Sequence, residues 1–92
     1  MDPRGKWALI TGSSRGVGRE VARGLAQLGC HLVLHARRRE QLSPLVGELS
    51  RLVTVRTVAA DLADEHEVDR LIREVLEESG GIDILYNNAA IM

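Results

Sequence analysis

Apolar and polar positions along the 92-residue chain follow two alternating periods. Trp7, Ala8, Leu9 and Ile10, closed by Thr11, form a short unbroken apolar run, and His31 to Ala36 (HLVLHA) forms another; both read as strands buried on two faces. Between them Val17, Val21, Ala22, Leu25, Ala26 and Leu28 recur at helical spacing, with Arg19, Glu20 and Arg23 interleaved and Gly29 where a helix stops. Leu42, Leu45, Val46 and Leu49 mark a second helix. Pro44 cannot sit in a helix interior, so that helix is predicted to start near Ser43 with Pro44 at its first position.

Residues 54–59 are rich in β-branched side chains and predict a third strand. Asp64 followed three residues later by Glu67 predicts a reciprocal helix cap. Val68, Leu71, Ile72, Val75 and Leu76 then share one helix face, which ends at Ser79, Gly80 and Gly81. Residues 82–86 (IDILY) predict a fourth strand, followed by Asn87, Asn88, Ala89 and Ala90. Strands alternating with helices imply parallel pairing through right-handed crossovers, an α/β layered fold.

Composition narrows the class. A single cysteine, Cys30, offers no disulfide framework, and no run approaches the ~20 apolar residues of a membrane span, so a soluble cytoplasmic chain without membrane contact is expected. Charge is uneven: residues 1–46 carry eight Arg/Lys against three Asp/Glu, and residues 47–92 carry four against ten. The basic groups gather near the glycines, although helices sorting their solvated charges would give the same asymmetry. Nucleic acid is a poor fit, because single-strand binders stack bases on aromatic platforms and only Trp7 and Tyr86 are aromatic here.

The segment LITGSSRGVGRE places Gly12, Gly16 and Gly18 between the first strand and the first helix. A strand-to-helix loop directs free amides and the positive end of a helix dipole at one spot, favouring an anion by ~0.3–1 kcal/mol and up to ~2 when partly buried. Gly12 permits the turn, Gly16 lets a ligand lie against bare backbone, and Gly18 lets the helix pack tightly on the strand. A Walker A loop requires Gly-Lys-Ser/Thr, and the only lysine, Lys6, precedes the strand; nucleotide hydrolysis by that route is excluded.

The spacing Gly-x-x-x-Gly-x-Gly after Thr11, the Asp61-Leu62 pair in AADLAD and the YNNAA segment resemble the short-chain dehydrogenase/reductase family. The resemblance runs through these 92 residues but matches only the first third to half of a complete member. It implies a Rossmann-like three-layer fold, a parallel sheet of about four strands in the order 3-2-1-4 with helices on both faces, incomplete relative to the family. Residues 1–92 are then the N-terminal part of a single NADP-binding domain.

The implied cofactor contacts are the loop Gly12, Ser13, Ser14, Arg15, Gly16, Val17 and Gly18, then Asp61 and Leu62 at the adenine ring, and Asn88, Ala89 and Ala90 after the fourth strand. Thr11 and Asn88 resemble the pair that braces the first and fourth strands. Ala90 departs from the family's glycine. At the end of the second strand, where an acidic residue would select NAD, Arg37 and Arg38 stand instead and are read as the seat of a 2′-phosphate, with Arg15 on the same side. NADP (NADPH) is the expected cofactor. A merely solvated charge run at 37–39 is the competing reading.

His31 and His35 are four strand residues apart, roughly 13 Å, too far to share a metal unaided, so each reads as a core or surface histidine and no metal site is expected. Family catalysis uses a tyrosine with a lysine four residues on, and a serine. No Tyr-x-x-x-Lys occurs, so no residue is assigned as catalytic and the chain by itself is expected to be inactive. The parent would transfer hydride between cofactor and an alcohol or carbonyl substrate; a catalytically inactive dinucleotide sensor or interaction module is the alternative. In the order 3-2-1-4 the fourth strand is an open edge, which predicts marginal stability and self-association.

Overall fold

The computed structural model describes residues 2–88. Eight elements follow one another: β1 (Trp7–Thr11), α1 (Gly16–Gln27), β2 (His31–Ala36), a 3-10 turn (Arg39–Leu42), α2 (Ser43–Leu49), β3 (Val55–Ala59), α3 (Glu65–Ser79) and β4 (Ile84–Asn87). The four strands form one parallel sheet in the order β3-β2-β1-β4. The fold is Rossmann-like, as the resemblance implied.

Burial follows each strand's place in the sheet. β1 and β2 are central, and Ala8 to Thr11 and Leu32 to Ala36 are all buried, as expected of parallel strands covered on both faces. One face packs Ala8, Ile10, Leu32 and Leu34 against Ala22 and Ala26 of α1 and Leu45 and Leu49 of α2. The other packs Leu9, Val33 and Val58 against Leu71 and Val75 of α3. Among the described residues β4 pairs only with β1, and Leu85, in register with Leu9, is 63 % exposed on the α3 side of the sheet. Ile72 and Leu76 on α3 are about half exposed.

Element ends depart from expectation where side chains intercept the ladder. Thr54 stays outside β3 because its N–H is taken by His31 Nδ1 at 3.1 Å. Asp83 precedes β4 and clamps Trp7, accepting from its N–H at 3.0 Å and donating to its carbonyl at 2.9 Å. α2 does start at Ser43 with Pro44 in its first turn, but a 3-10 turn ending at Leu42 leads into it.

The cap at Asp64 is only half of the predicted reciprocal pair. Asp64 accepts from the His66 and Glu67 amides, while its own N–H donates to the Asp61 carbonyl. That amide being occupied, Glu67 turns back to Asp61 instead and accepts from its N–H at 2.9 Å. α3 closes on Gly80 at φ 76°, a left-handed position glycine takes without a Cβ penalty.

Candidate dinucleotide site

Parallel strands bring every strand's C-terminal end to one edge of the sheet. The segments after β1, β2, β3 and β4 therefore meet there, and the strand order reverses at β1, with β2 on one side and β4 on the other, the place where open α/β sheets bind ligands. A cleft of about 780 Å³ opens at that edge.

Its floor is the loop 12–15. Gly12 and Gly16 have φ of 59° and 64°, so both glycines hold left-handed backbone that a side chain would strain. A Cβ added at Gly16 would meet nothing within 4 Å, leaving open space over the main chain. Gly18 is different: its Cβ would lie 2.7 Å from the Gly12 carbonyl oxygen and 2.7 Å from Asn88 Nδ2. The close approach predicted for Gly18 is therefore to the loop and to Asn88.

The two helix starts contrast. α3 carries Asp64 as cap and Glu65 and Glu67 in its first turn. α1 is capped by Arg15, which makes no side-chain cap bond, and has no acidic residue in its first turn. Its first amides have no carbonyl a turn behind them, and its positive end faces the cleft with no carboxylate in its own first turn.

Asn88 and Thr11 lock the loop to β4. Thr11 Oγ1 donates to Asn87 Oδ1 and accepts from the Asn88 N–H, each at 2.9 Å, and Asn88 Nδ2 donates to the Gly12 carbonyl at 3.1 Å. Gly12, Ser14, Arg15, Gly16, Val17, Arg37, Asp61, Leu62 and Asn88 all line the cleft. Ser13 is brought to the loop but turned inward: it is fully buried, and both its N–H and its hydroxyl donate to the His35 carbonyl, at 2.9 and 3.1 Å. Ala89 and Ala90 lie outside the described residues.

The arginine run divides. Arg37 lies on the cleft wall, 79 % exposed, with Nη2 3.9 Å from Asp61 Oδ2. Arg38 does not line it; its N–H donates to Gln41 Oε1 and its carbonyl accepts from the Gln41 N–H, fixing the 3-10 turn. Arg39 turns away, with Nη2 3.4 Å from the Thr57 carbonyl and 3.8 Å from Glu74 Oε2. One guanidinium of the three therefore addresses the cleft.

Sequence reasoning missed His35, Ala36, Gln41, Ala60 and Ala63, which also line the cleft. His35 is only 2 % exposed; Nδ1 accepts from the Gly12 N–H at 3.0 Å, and Nε2 lies 2.9 Å from the Ala60 carbonyl. Burial lowers its pKa below the ordinary 6.5, outweighing the opposing effect of the Ala60 bond. Its position at the C-terminal end of a strand entering this edge is the one signal that could have marked it. No group of three or more metal-ligating side chains, and no helix long and apolar enough to cross a membrane, occurs among the described residues.

These features coincide with a family assignment. The model of the family described as short chain dehydrogenase matches residues 6–92, and the chain belongs to that family. It is 42 % identical over 89 residues to glycine betaine reductase ATRR of Emericella nidulans, covering 96 % of this chain and 7 % of that protein. It is 42 % identical over 83 residues to sulfoacetaldehyde reductase 2 of Chromohalobacter salexigens, covering 90 % of this chain and 33 % of that one. Among solved structures, L-sorbose reductase from Gluconobacter frateurii, complexed with NADPH and L-sorbose, matches with a TM-score of 0.90 and 42 % identity, over 99 % of this chain and 36 % of that one. The chain thus spans about a third or less of the length of these relatives.

Proposed function

We propose that this chain is the N-terminal, NADP(H)-binding part of a single oxidoreductase domain whose whole transfers hydride between the nicotinamide and an alcohol or carbonyl. The observation that carries the reading is the α1 N-terminus, without a side-chain cap or a first-turn acid, opening on a cleft walled by Arg37. The bare backbone at Gly16 fits a diphosphate, and the cleft volume falls in the roughly 300–1,000 Å³ range of small-molecule sites.

In this reading the amides of residues 14–18 hold the diphosphate, and Arg37 and Arg15 hold the 2′-phosphate. Asp61 and Leu62 meet the adenine, and Asn88, Ala89 and Ala90 complete the cofactor contacts after the fourth strand. Arg38 shapes the turn behind Arg37, and Ser13 and Gly18 shape the loop. The bound cofactor supplies the hydride; the chain's own residues bind and orient it. The proton donor and the substrate wall belong to parts of the domain for which these 92 residues have no Tyr-x-x-x-Lys, so the substrate class stays at alcohol or carbonyl.

Calorimetric titration with NADPH and NADH tests the reading. NADPH is expected to bind at least tenfold more tightly, the ratio one charge-assisted contact of about 1.5 kcal/mol supplies. Equal affinities would remove the NADP assignment, and no binding of either would remove the dinucleotide reading.

A further inference from the structure

The cleft floor is held by one buried ionisable side chain that the cofactor contacts do not use. His35 joins two of the segments that make the cleft: its Nδ1 is bonded to the loop after β1 and its Nε2 to Ala60 after β3. Its carbonyl also receives both Ser13 donors, so three hydrogen bonds run from Gly12 and Ser13 to this one residue. The partners settle the tautomer. An amide N–H can only donate, so Nδ1 must carry a lone pair; a carbonyl can only accept, so Nε2 must carry the proton.

We propose that His35 is a positioning residue for dinucleotide binding, holding the Gly12–Ser13 turn in its binding conformation only while its imidazole is neutral. The inference rests on the dinucleotide reading and adds a control to that site. Protonation places an N–H on Nδ1 facing the Gly12 N–H, two donors at 3.0 Å with no acceptor between them. Gly12 must then move, and the amides that follow it turn with it.

The surroundings pull both ways on that proton. Arg37, two residues on along the same chain, and Arg15, on the loop, disfavour the imidazolium. Asp61, beside Ala60 on the facing wall, favours it, although Arg37 at 3.9 Å offsets part of its charge. Glu67, on α3, is held by the Asp61 N–H and by Arg70. Burial disfavours the imidazolium most, and the bond to Ala60 opposes it less, so the neutral form is the folded one. A bound diphosphate would by charge alone favour the imidazolium and tighten binding in acid; the turn displacement predicts weaker binding in acid. The sign of the pH dependence therefore separates the two.

The test compares the wild-type chain with His35→Asn, whose amide oxygen can replace Nδ1 as acceptor but does not titrate, and with His35→Leu, which removes the acceptor. Amide resonances of Gly12 and Ser13 in the unliganded proteins are followed from about pH 8 to about pH 5, and NADPH affinity is measured over the same range. In the wild type both amides should shift with the His35 titration, and affinity should fall relative to His35→Asn at low pH, the comparison cancelling titration of the cofactor's own phosphate. At about pH 8 His35→Leu should bind roughly tenfold more weakly than wild type, and His35→Asn, which keeps an acceptor for the Gly12 N–H but gives up the bond to Ala60, should bind more tightly than His35→Leu. Should the Leu variant fail to fold, the Asn comparison decides alone.

The proposal is overturned if the Gly12 and Ser13 amides ignore the His35 titration, or if wild type and His35→Asn share one pH profile. It is also overturned if acid tightens wild-type binding relative to His35→Asn. If the amides respond but no nucleotide binds at any pH, the dinucleotide reading falls while the hold of His35 on the loop is upheld.

Discussion

Arg37 after β2 and Asp61 after β3 both line the cleft, with Nη2 3.9 Å from Oδ2. Both are substantially exposed, so the pair contributes little to stability. On the proposed reading its relevance is to the ligand: a 2′-phosphate held by Arg37 would compete with Asp61 for it. Arg37→Ala should therefore weaken NADPH binding by about tenfold and leave NADH binding within about twofold, since the discount for exposure leaves roughly one charge-assisted bond. Parallel titrations of both cofactors check it; an equal loss for both would mean that Arg37 shapes the cleft rather than reading the phosphate.

Two glycines of one helix should respond in opposite directions to the same change. Alanine is favoured over glycine in a helix interior by about 1 kcal/mol. At Gly24 an added Cβ meets nothing within 4 Å, so Gly24→Ala should stabilise by about 0.5–1 kcal/mol. At Gly18 the Cβ would stand 2.7 Å from a backbone oxygen, and Gly18→Ala should destabilise by about 1–3 kcal/mol and disturb the loop. Urea unfolding of both variants is the measurement, and stabilisation by Gly18→Ala would contradict the packing described.

The Thr11 hydroxyl both donates to Asn87 and accepts from the Asn88 N–H, so Thr11→Val takes the acceptor from the half-buried Asn88 N–H and a donor from the exposed Asn87 side chain. A loss of about 1–3 kcal/mol is expected. Hydrogen exchange at the Asn88 amide should rise in the variant; an unchanged rate would show that the brace does not hold β4 to β1.

Acid should weaken the fold in two stages. His35 has a folded-state pKa pushed below 6.5 by burial, so the unfolded chain takes the proton first. Its contribution is complete above about pH 6.5 and is lost as pH falls through the folded value. Glu67 is held below its ordinary 4.5 first by the Asp61 N–H and then by Arg70; its contribution is present above about 4.5 and is lost as pH falls through its lower folded value. Melting temperature against pH should lose its upper step in His35→Asn and have a smaller lower step in Glu67→Gln. Superimposable curves for all three proteins would contradict both assignments.

The order of elements was legible because the period changes are abrupt: WALIT holds no polar residue before its last, HLVLHA holds none between its two histidines, and the α1 and α3 stripes recur every three to four positions. The glycine loop was legible because positive φ at Gly12 and Gly16 restricts residue type so strongly. The arginine run was legible as charge but not as geometry; that only Arg37 lines the cleft follows from a 3-10 turn which fixes Arg38 and swings Arg39 toward β3. His35 is the core histidine expected, but its partners, like those of Glu67, were not legible, for a shared reason. Their partners, Gly12 and Ala60 for one and Asp61 for the other, are set by tertiary placement, and local patterns carry no record of that.

The most direct test of the central claim is a map of backbone amide shifts on adding NADPH. A diphosphate at the α1 N-terminus predicts the largest changes at residues 14–18, with smaller ones at Arg37 and Asp61. The shallow hollow lined by His31 and residues 50–56, below the opposite end of the sheet, should stay unchanged. Shifts confined to that hollow, or none at residues 14–18 with NADPH in excess, would contradict the account.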